Sequence, residues 1–320
     1  MDFIIRLTGL VLMTKGKQSQ MHALLLILAL ALSGCQNTSS DNSLPVTFHP
    51  DYGLPLVNIG INGETMLAYV DTGANFLRVC LPKQDIERLG AHPNGKVTRF
   101  FGLGGMAHAS PEYDAFLTLG VNAPIKTSIQ EFKEWGFTMG QKPYDSLGLK
   151  PAYIGLRLLK HYTLFLDFSK NDLRLYPPSF SPTGMADWTE IPFTVTASGI
   201  EFPLKLEGST VQAILDTGAS RSLLIQDPSI FSDHHHRREF AQKIILTGLQ
   251  IGKLLLDPLT VIHKHFPKPD VHLILGCDFL KHHQLYISFK DKRIWIRKAA
   301  PQIENHPVSV EAAPRERMLL

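Results

Sequence analysis

Apolar and polar residues along this chain come in short bursts split by Gly, Pro and Asn. That pattern predicts many strands and tight turns rather than long helices. Met66-Leu67-Ala68-Tyr69-Val70 and Val211-Gln212-Ala213-Ile214-Leu215 read as strands. Eight residues before residues 71 and 216 stand polar-Gly pairs, Asn62-Gly63 and Glu207-Gly208, which predict hairpin turns. Helical pattern is scarce. Residues 82–89 could form a short helix, and 156–161 and 278–283 single turns.

Both strands end in the same four residues, Asp71-Thr72-Gly73-Ala74 and Asp216-Thr217-Gly218-Ala219, and the match extends beyond them. Ile154-Gly155-Leu156-Arg157-Leu158-Leu159-Lys160-His161 aligns with Leu275-Gly276-Cys277-Asp278-Phe279-Leu280-Lys281-His282. The same register pairs Leu164 with Leu285 and Phe168 with Phe289. Polar turns follow at 169–172 and 290–292, then the alternating strands Leu173-Arg174-Leu175 and Ile294-Trp295-Ile296. Leu117-Thr118-Leu119-Gly120 matches Leu249-Gln250-Ile251-Gly252. The chain is an internal repeat.

A lone Asp-Thr-Gly can be an ordinary Asx-type turn between strands. Two in matching settings suggest carboxylates brought together across a two-fold axis. Such a pair cannot ionise twice cheaply, so it shares one proton. One member can then take a proton from water while the other gives one to a peptide carbonyl.

With these motifs in this order, over roughly residues 45–297, the chain resembles the retropepsin/pepsin superfamily of aspartic peptidases, each half being similar to one retropepsin-like subunit. The resemblance implies an all-β acid-protease fold of two pseudo-symmetric lobes, 45–183 and 184–297, with a cleft between them. It implies Asp71 and Asp216 as the catalytic pair, with Thr72, Gly73, Thr217 and Gly218 supporting the loops. The threonine hydroxyls would form a hydrogen-bond pair between the lobes. The glycines allow a tight bend and close approach of backbone N–H groups to the carboxylates. Ile154-Gly155 and Leu275-Gly276 would pass beneath the loops. No cofactor and no metal are implied, and the expected partner is a peptide or protein substrate. A monomer is expected, its halves standing in for two subunits.

The halves differ in length: 84 residues separate Asp71 from Gly155, against 60 from Asp216 to Gly276. Part of the excess lies at 100–107, where Gly102, Leu103, Gly104 and Gly105 form a Gly-rich tip between apolar residues. It resembles the retropepsin flap, a hairpin that closes over substrate, although a plain surface hairpin would read similarly. The second half has only Leu246-Thr247-Gly248 there, so one working flap is expected. Residues 132–151, with Trp135 and Phe137, would line the cleft edge. Ala74 and Ala219 replace the Ser or Thr frequent in pepsin-like enzymes, and no flap tyrosine is evident. Both departures point away from a strongly acidic working range.

Composition narrows the classes further. The 320 residues are 44% apolar and 19% charged, enough for sizeable cores, and the formal net charge of +3 with no long basic run implies no nucleic-acid partner. Residues 23–32 form an unbroken apolar run, too short for a membrane span of about 20 residues. Leu32-Ser33-Gly34-Cys35 follows it and resembles a bacterial lipobox, with Lys15 and Lys17 as the positive flank and Met13 as the working start. A buried core helix is the alternative. The lipobox implies a signal peptide over 1–35, lipid on Cys35 as a membrane anchor, and a polar tether over 36–44. Gln36 after the cysteine implies the outer membrane, facing the periplasm.

Cys80 and Cys277, one in each half, are expected as small buried hydrophobes rather than a disulfide. His234-His235-His236 reads as a solvated loop, not a metal site. His161 and His282 recur after the apolar-apolar-Gly turns, which predicts structural hydrogen bonds. Residues 298–320 read as a loose tail. Two other functions remain compatible with the sequence: a peptide-binding module using the same cleft, and an envelope protein whose loops are relics.

Overall fold

The computed structural model describes residues 43–50, 52–101, 107–132, 151–225, 242–263 and 271–300. Nearly all regular structure is β, in three sheets. Among the described residues the first of 23 strands, β1 (Ser43–Pro45), belongs to a sheet completed only by the last ones. An eight-stranded sheet follows: β2 (Thr47–Phe48), β3 (Pro55–Ile61), β4 (Glu64–Asp71), β5 (Val79–Pro82), β6 (His92–Phe101), β7 (Ala107–Leu119), β8 (Ile125–Phe132) and β9 (Ala152–Gly155). Its order is β2-β3-β4-β9-β5-β8-β7-β6, and an extra β3–β7 pairing curls it towards a barrel.

After β10 (Thr163–Asp167), β11 (Asp172–Tyr176) and β12 (Thr189–Pro192), the second half repeats the plan. Its sheet holds β13 (Thr194–Thr196), β14 (Gly199–Leu206), β15 (Ser209–Leu215), β16 (Leu223–Leu224), β17 (Gln242–Leu246), β18 (Leu249–Ile251), β19 (Leu254–Leu255), β20 (Leu259–His263) and β21 (Leu273–Leu275). Here the order is β17-β20-β16-β21-β15-β14-β18-β19, with β13 on β14. Helices are brief: Lys83–Arg88, Leu156–Leu159 and Cys277–Leu280, at the three places expected.

The turns follow from their residues. Asn62 and Gly63 have φ of 49° and 88°, and Glu207 and Gly208 50° and 85°. Two successive positive φ values make the hairpin turn whose twist suits the flanking strands. The expected hairpins β3–β4 and β14–β15 form there.

The third sheet joins the halves in the order β1-β11-β10-β22-β23-β12, with β22 (His283–Ser288) and β23 (Arg293–Lys298). Strand alternation puts Leu164, Leu166, Leu173, Leu175, Leu285, Ile287, Ile294 and Ile296 on its buried face. Each such burial is worth about 1.5–3 kcal/mol. At its centre β10 pairs antiparallel with β22, and Phe165 lies opposite Tyr286, its own repeat counterpart, with rings 4.6 Å apart. A local two-fold axis therefore passes between these two residues.

Cys80 and Cys277 are free and buried, as expected. At the turn of the second repeat the buried histidine is His283 rather than His282; its Nδ1 lies 2.9 Å from the Phe279 carbonyl. Leu246-Thr247-Gly248 is not a shortened flap tip. It breaks β17 from β18 with Gly248 at φ 67°, where the first half runs β7 unbroken through Asp114-Ala115-Phe116. In that register the counterpart of residues 102–106 falls at 234–238, outside the described residues.

Candidate active site

Asp71 ends β4 and Asp216 follows β15, each carried on a central strand of its sheet. Strand alternation sends the residues before them, Val70 and Leu215, into the main core and turns the carboxylates to the opposite side. Each strand is backed by a parallel neighbour: Asp71 pairs in register with Gly155, and the Asp216 N–H donates to the Leu275 carbonyl at 3.0 Å. The parallel neighbours carry the two apolar-apolar-Gly elements, which cross under the loops. The Leu156 N–H donates to the Ala74 carbonyl at 3.0 Å, and the Cys277 N–H to the Ala219 carbonyl at 2.8 Å. A Cβ on Gly276 would sit 2.6 Å from the Ala219 carbonyl oxygen, and one on Gly155 would overlap Leu77. Glycine is required by this crossing, not by turn geometry.

Four hydrogen bonds clamp the loops together. The Thr72 hydroxyl donates to the Leu215 carbonyl at 3.0 Å, and the Thr217 hydroxyl to the Val70 carbonyl at 2.6 Å. Each hydroxyl also accepts the other threonine's backbone N–H at 3.0 Å. Both threonines are fully buried, so all four groups depend on these partners. A fifth bond crosses between halves, from the Asn75 side chain to the Thr196 carbonyl.

The clamp sets Asp71 and Asp216 side by side, each carboxylate lying against the glycine of the opposite loop. Gly73 and Gly218 face the carboxylates across the axis. A Cβ on Gly73 would stand 2.5 Å from the Asp216 carboxylate, and one on Gly218 2.6 Å from that of Asp71. The N–H groups of Gly73 and Ala74 both donate to Asp71 Oδ1 at 2.9 Å, and Gly218 N–H donates to Asp216 Oδ1 at 2.8 Å. Burial raises the Asp71 carboxyl well above the usual carboxylate range, and the neighbouring Asp216 charge raises it further; the two N–H donors pull the other way without cancelling this. Two carboxyls so close interact strongly enough that their ionisations are coupled. Both keep partial exposure, so water can reach them.

The buried packing beside the pair differs between the halves. On the Asp71 side, sheet register lines up Tyr69, Tyr153, Cys80 and Gln130 across four strands. On the Asp216 side the same positions hold Ile214, Ile274, Leu223 and Ile262. Phe76 and Tyr153 pack over a small cluster of Ala74, Leu77 and Cys80, apart from the main core. Ile262 and Ala219 do the same over Ile214, Leu223, Ile225, Val271 and Ile274. The packing beside Asp71 includes two tyrosines, and that beside Asp216 is aliphatic.

Several supporting groups were not foreseen from sequence. Cys277 donates its thiol hydrogen to the Thr217 carbonyl at 3.2 Å, and burial pushes that thiol's pKa up, so it stays protonated. Asp278 accepts the Ser222 N–H at 2.9 Å and its hydroxyl at 2.7 Å, and the same hydroxyl accepts the Gly276 N–H at 3.0 Å. Charged residues two places after each Gly, Arg157 and Asp278, were the available signal. Gly102, Leu103, Gly104 and Gly105, the 133–150 insertion, Cys35 and the 234–236 histidines lie outside the described residues. Among the described residues, no group of three or more His, Cys, Asp or Glu could hold a metal, and no helix is long and apolar enough to cross a membrane.

Fold and paired carboxylates together define the acid-protease architecture. No family model matches the sequence, and no curated protein matches it. Solved structures do match in fold. An aspartic proteinase from Irpex lacteus is 15% identical with a TM-score of 0.52, the match covering 81% of this chain and 97% of that one. Basic 7S globulin from soybean is 10% identical with a TM-score of 0.52, covering 81% and 95%. At such identities the likeness is one of fold.

Proposed function

We propose that the protein is an aspartic endopeptidase that cuts extended polypeptide segments in the cleft between its lobes. The observation that carries this reading is the placing of Asp71 and Asp216 side by side between two glycine-floored loops, with burial and the Asp216 charge raising the Asp71 carboxyl. A water between the carboxylates and the scissile carbonyl would lose a proton to the ionised member and attack the carbonyl carbon. The protonated member would give its proton to the carbonyl oxygen. The C–N bond then breaks as the nitrogen is protonated.

Its test is incubation with a peptide library at several pH values, with and without pepstatin. Pepstatin-sensitive cleavage that Asp71→Asn or Asp216→Asn abolishes is the expected result. Binding of the same peptides without cleavage would replace the peptidase with a peptide-binding protein.

We also propose that the chain is a lipoprotein anchored through Cys35 at the outer membrane, facing the periplasm. Support comes from the lipobox-like Leu32-Ser33-Gly34-Cys35 and the polar stretch after it. Cys35→Ser should move the protein from the membrane fraction to a soluble or unprocessed form. Unchanged membrane fractionation would refute the anchor.

A further inference from the structure

The two halves part ways at one repeat position. Asp278, two residues after Gly276, turns back onto its own loop through Ser222. Arg157, two residues after Gly155, does the opposite. Its backbone N–H donates to the Leu77 carbonyl of the Asp71 loop at 2.9 Å, but its guanidinium leaves the loop. Nη1 donates to Thr98 Oγ1 at 2.8 Å and to Glu112 Oε1 at 3.1 Å, while the Thr98 hydroxyl donates to the same Glu112 oxygen. Thr98 lies on β6 and Glu112 on β7. One side chain therefore ties the segment under Asp71 to both strands of the hairpin.

The contact is built rather than incidental. Glu112 is 5% exposed, and a carboxylate so placed needs its partners. It has three: the Thr98 and Ser128 side chains and Arg157. A guanidinium offers fixed, fork-like donors on a long stem, so it can bridge two acceptors while its own backbone stays bonded to the loop. Leu158 and Leu159 next to Arg157 are buried in the main core, which holds the root of that stem still. In the second half the matching strand is broken at Gly248, and among the described residues the side-chain bonds of Asp278 go to Ser222 and Phe279.

We propose that Arg157 is a positioning residue that fixes the base of the β6–β7 hairpin against the Asp71 loop and so sets how firmly substrate is held over the carboxylate pair. The effect on substrate rests on the peptidase reading; the strut itself does not.

The test compares the full-length protein with Arg157→Met, Arg157→Lys and the milder Thr98→Val. Peptide cleavage and amide hydrogen exchange are measured on each. Arg157→Met should raise KM about tenfold with kcat within about threefold, a loss well within what slight misplacement produces. Arg157→Lys, which keeps the charge for Glu112 but lacks the fork, should recover only part of that loss, and Thr98→Val should raise KM by a smaller factor. Exchange in β6 and β7 should quicken in the Met variant while β14 and β15 stay as in the parent. A parent-like KM in the Met variant, or a fall in kcat alone that tracks the loss of folded protein, would overturn the proposal. Should Arg157→Met not fold, an unchanged KM in Thr98→Val overturns it. If the parent cuts no peptide, the peptidase reading falls, and unchanged exchange in β6 and β7 would then sink the strut separately.

Discussion

At the scale of single residues the raised Asp71 carboxyl bears on both the proposed chemistry and the stability. Asp71→Asn or Asp216→Asn removes the base or the acid, and activity should fall by about 10²–10⁴-fold, the usual weight of general acid–base catalysis. The same variants should be more stable than the parent. Asp71 has a raised carboxyl pKa in the fold, so between the unfolded value of about 3.9 and that raised value the native state binds more protons than the unfolded one. Stability from this group is therefore greatest in acid and declines as pH rises through that window. Asp71→Asn should raise Tm at pH 7, by about 2–4 °C per kcal/mol relieved, and the gain should shrink towards pH 4. Thermal unfolding of both proteins across pH decides the point; a gain that grows in acid would contradict the raised carboxyl.

Ala74 is the other residue with a pH consequence. Its N–H already donates to Asp71 Oδ1 at 2.9 Å, and a hydroxyl in place of its methyl would add a donor to the ionised form. Ala74→Ser should shift the activity profile towards acid, and Ala219→Ser likewise. An identical profile in both variants would show that burial and the partner carboxylate alone set the titration.

Among the elements, the threonine clamp and the hairpin turns behave differently. Thr217→Val would leave the Val70 carbonyl and the Thr72 N–H buried without partners, each such loss being worth about 1–3 kcal/mol. A loss of about 2–5 kcal/mol is expected from denaturant melts. The turn β14–β15 has the opposite promise, because Glu207 sits at φ 50°, where Asn is far better tolerated. Glu207→Asn should stabilise by about 0.5–1 kcal/mol, and a destabilised variant would show that Glu207 has a role beyond the turn.

Elements also show how far the sequence could be read. The hairpins at Asn62-Gly63 and Glu207-Gly208, and the strands running into each Asp-Thr-Gly, were legible because their signals are local: turn residues and alternating burial. The paired aspartates were legible because the motif occurs twice in one setting. Arg157 and its partners were not, since Thr98 and Glu112 lie 59 and 45 residues away and nothing in the spacing marks them. Nor was the placing of β1 beside β11, because alternation identifies a strand but not its neighbour. The break at Gly248 was misread because a Gly-containing turn looks alike whether it tips a hairpin or interrupts a strand.

In the whole molecule the two halves meet on one axis at two levels, the threonine clamp above and the Phe165–Tyr286 pairing below. A chain ending near residue 183 would lack β22, β23 and the second threonine. It should give no stable monomer, and sedimentation should find it as a dimer or aggregate; a well-behaved monomer would mean that β10 needs no partner.

The β10–β22 pairing also sets a timetable. Strand β10 is made about 120 residues before the strand that covers it. At a synthesis rate of about 5–20 residues per second, its hydrogen-bonding edge waits bare for roughly 6–24 s. A bare edge with Leu164 and Leu166 exposed beside it is an invitation to other strands, including β10 of another nascent chain. The pairing that closes the finished molecule is thus also its most exposed moment during birth, and slower synthesis between residues 167 and 283 would lengthen that risk.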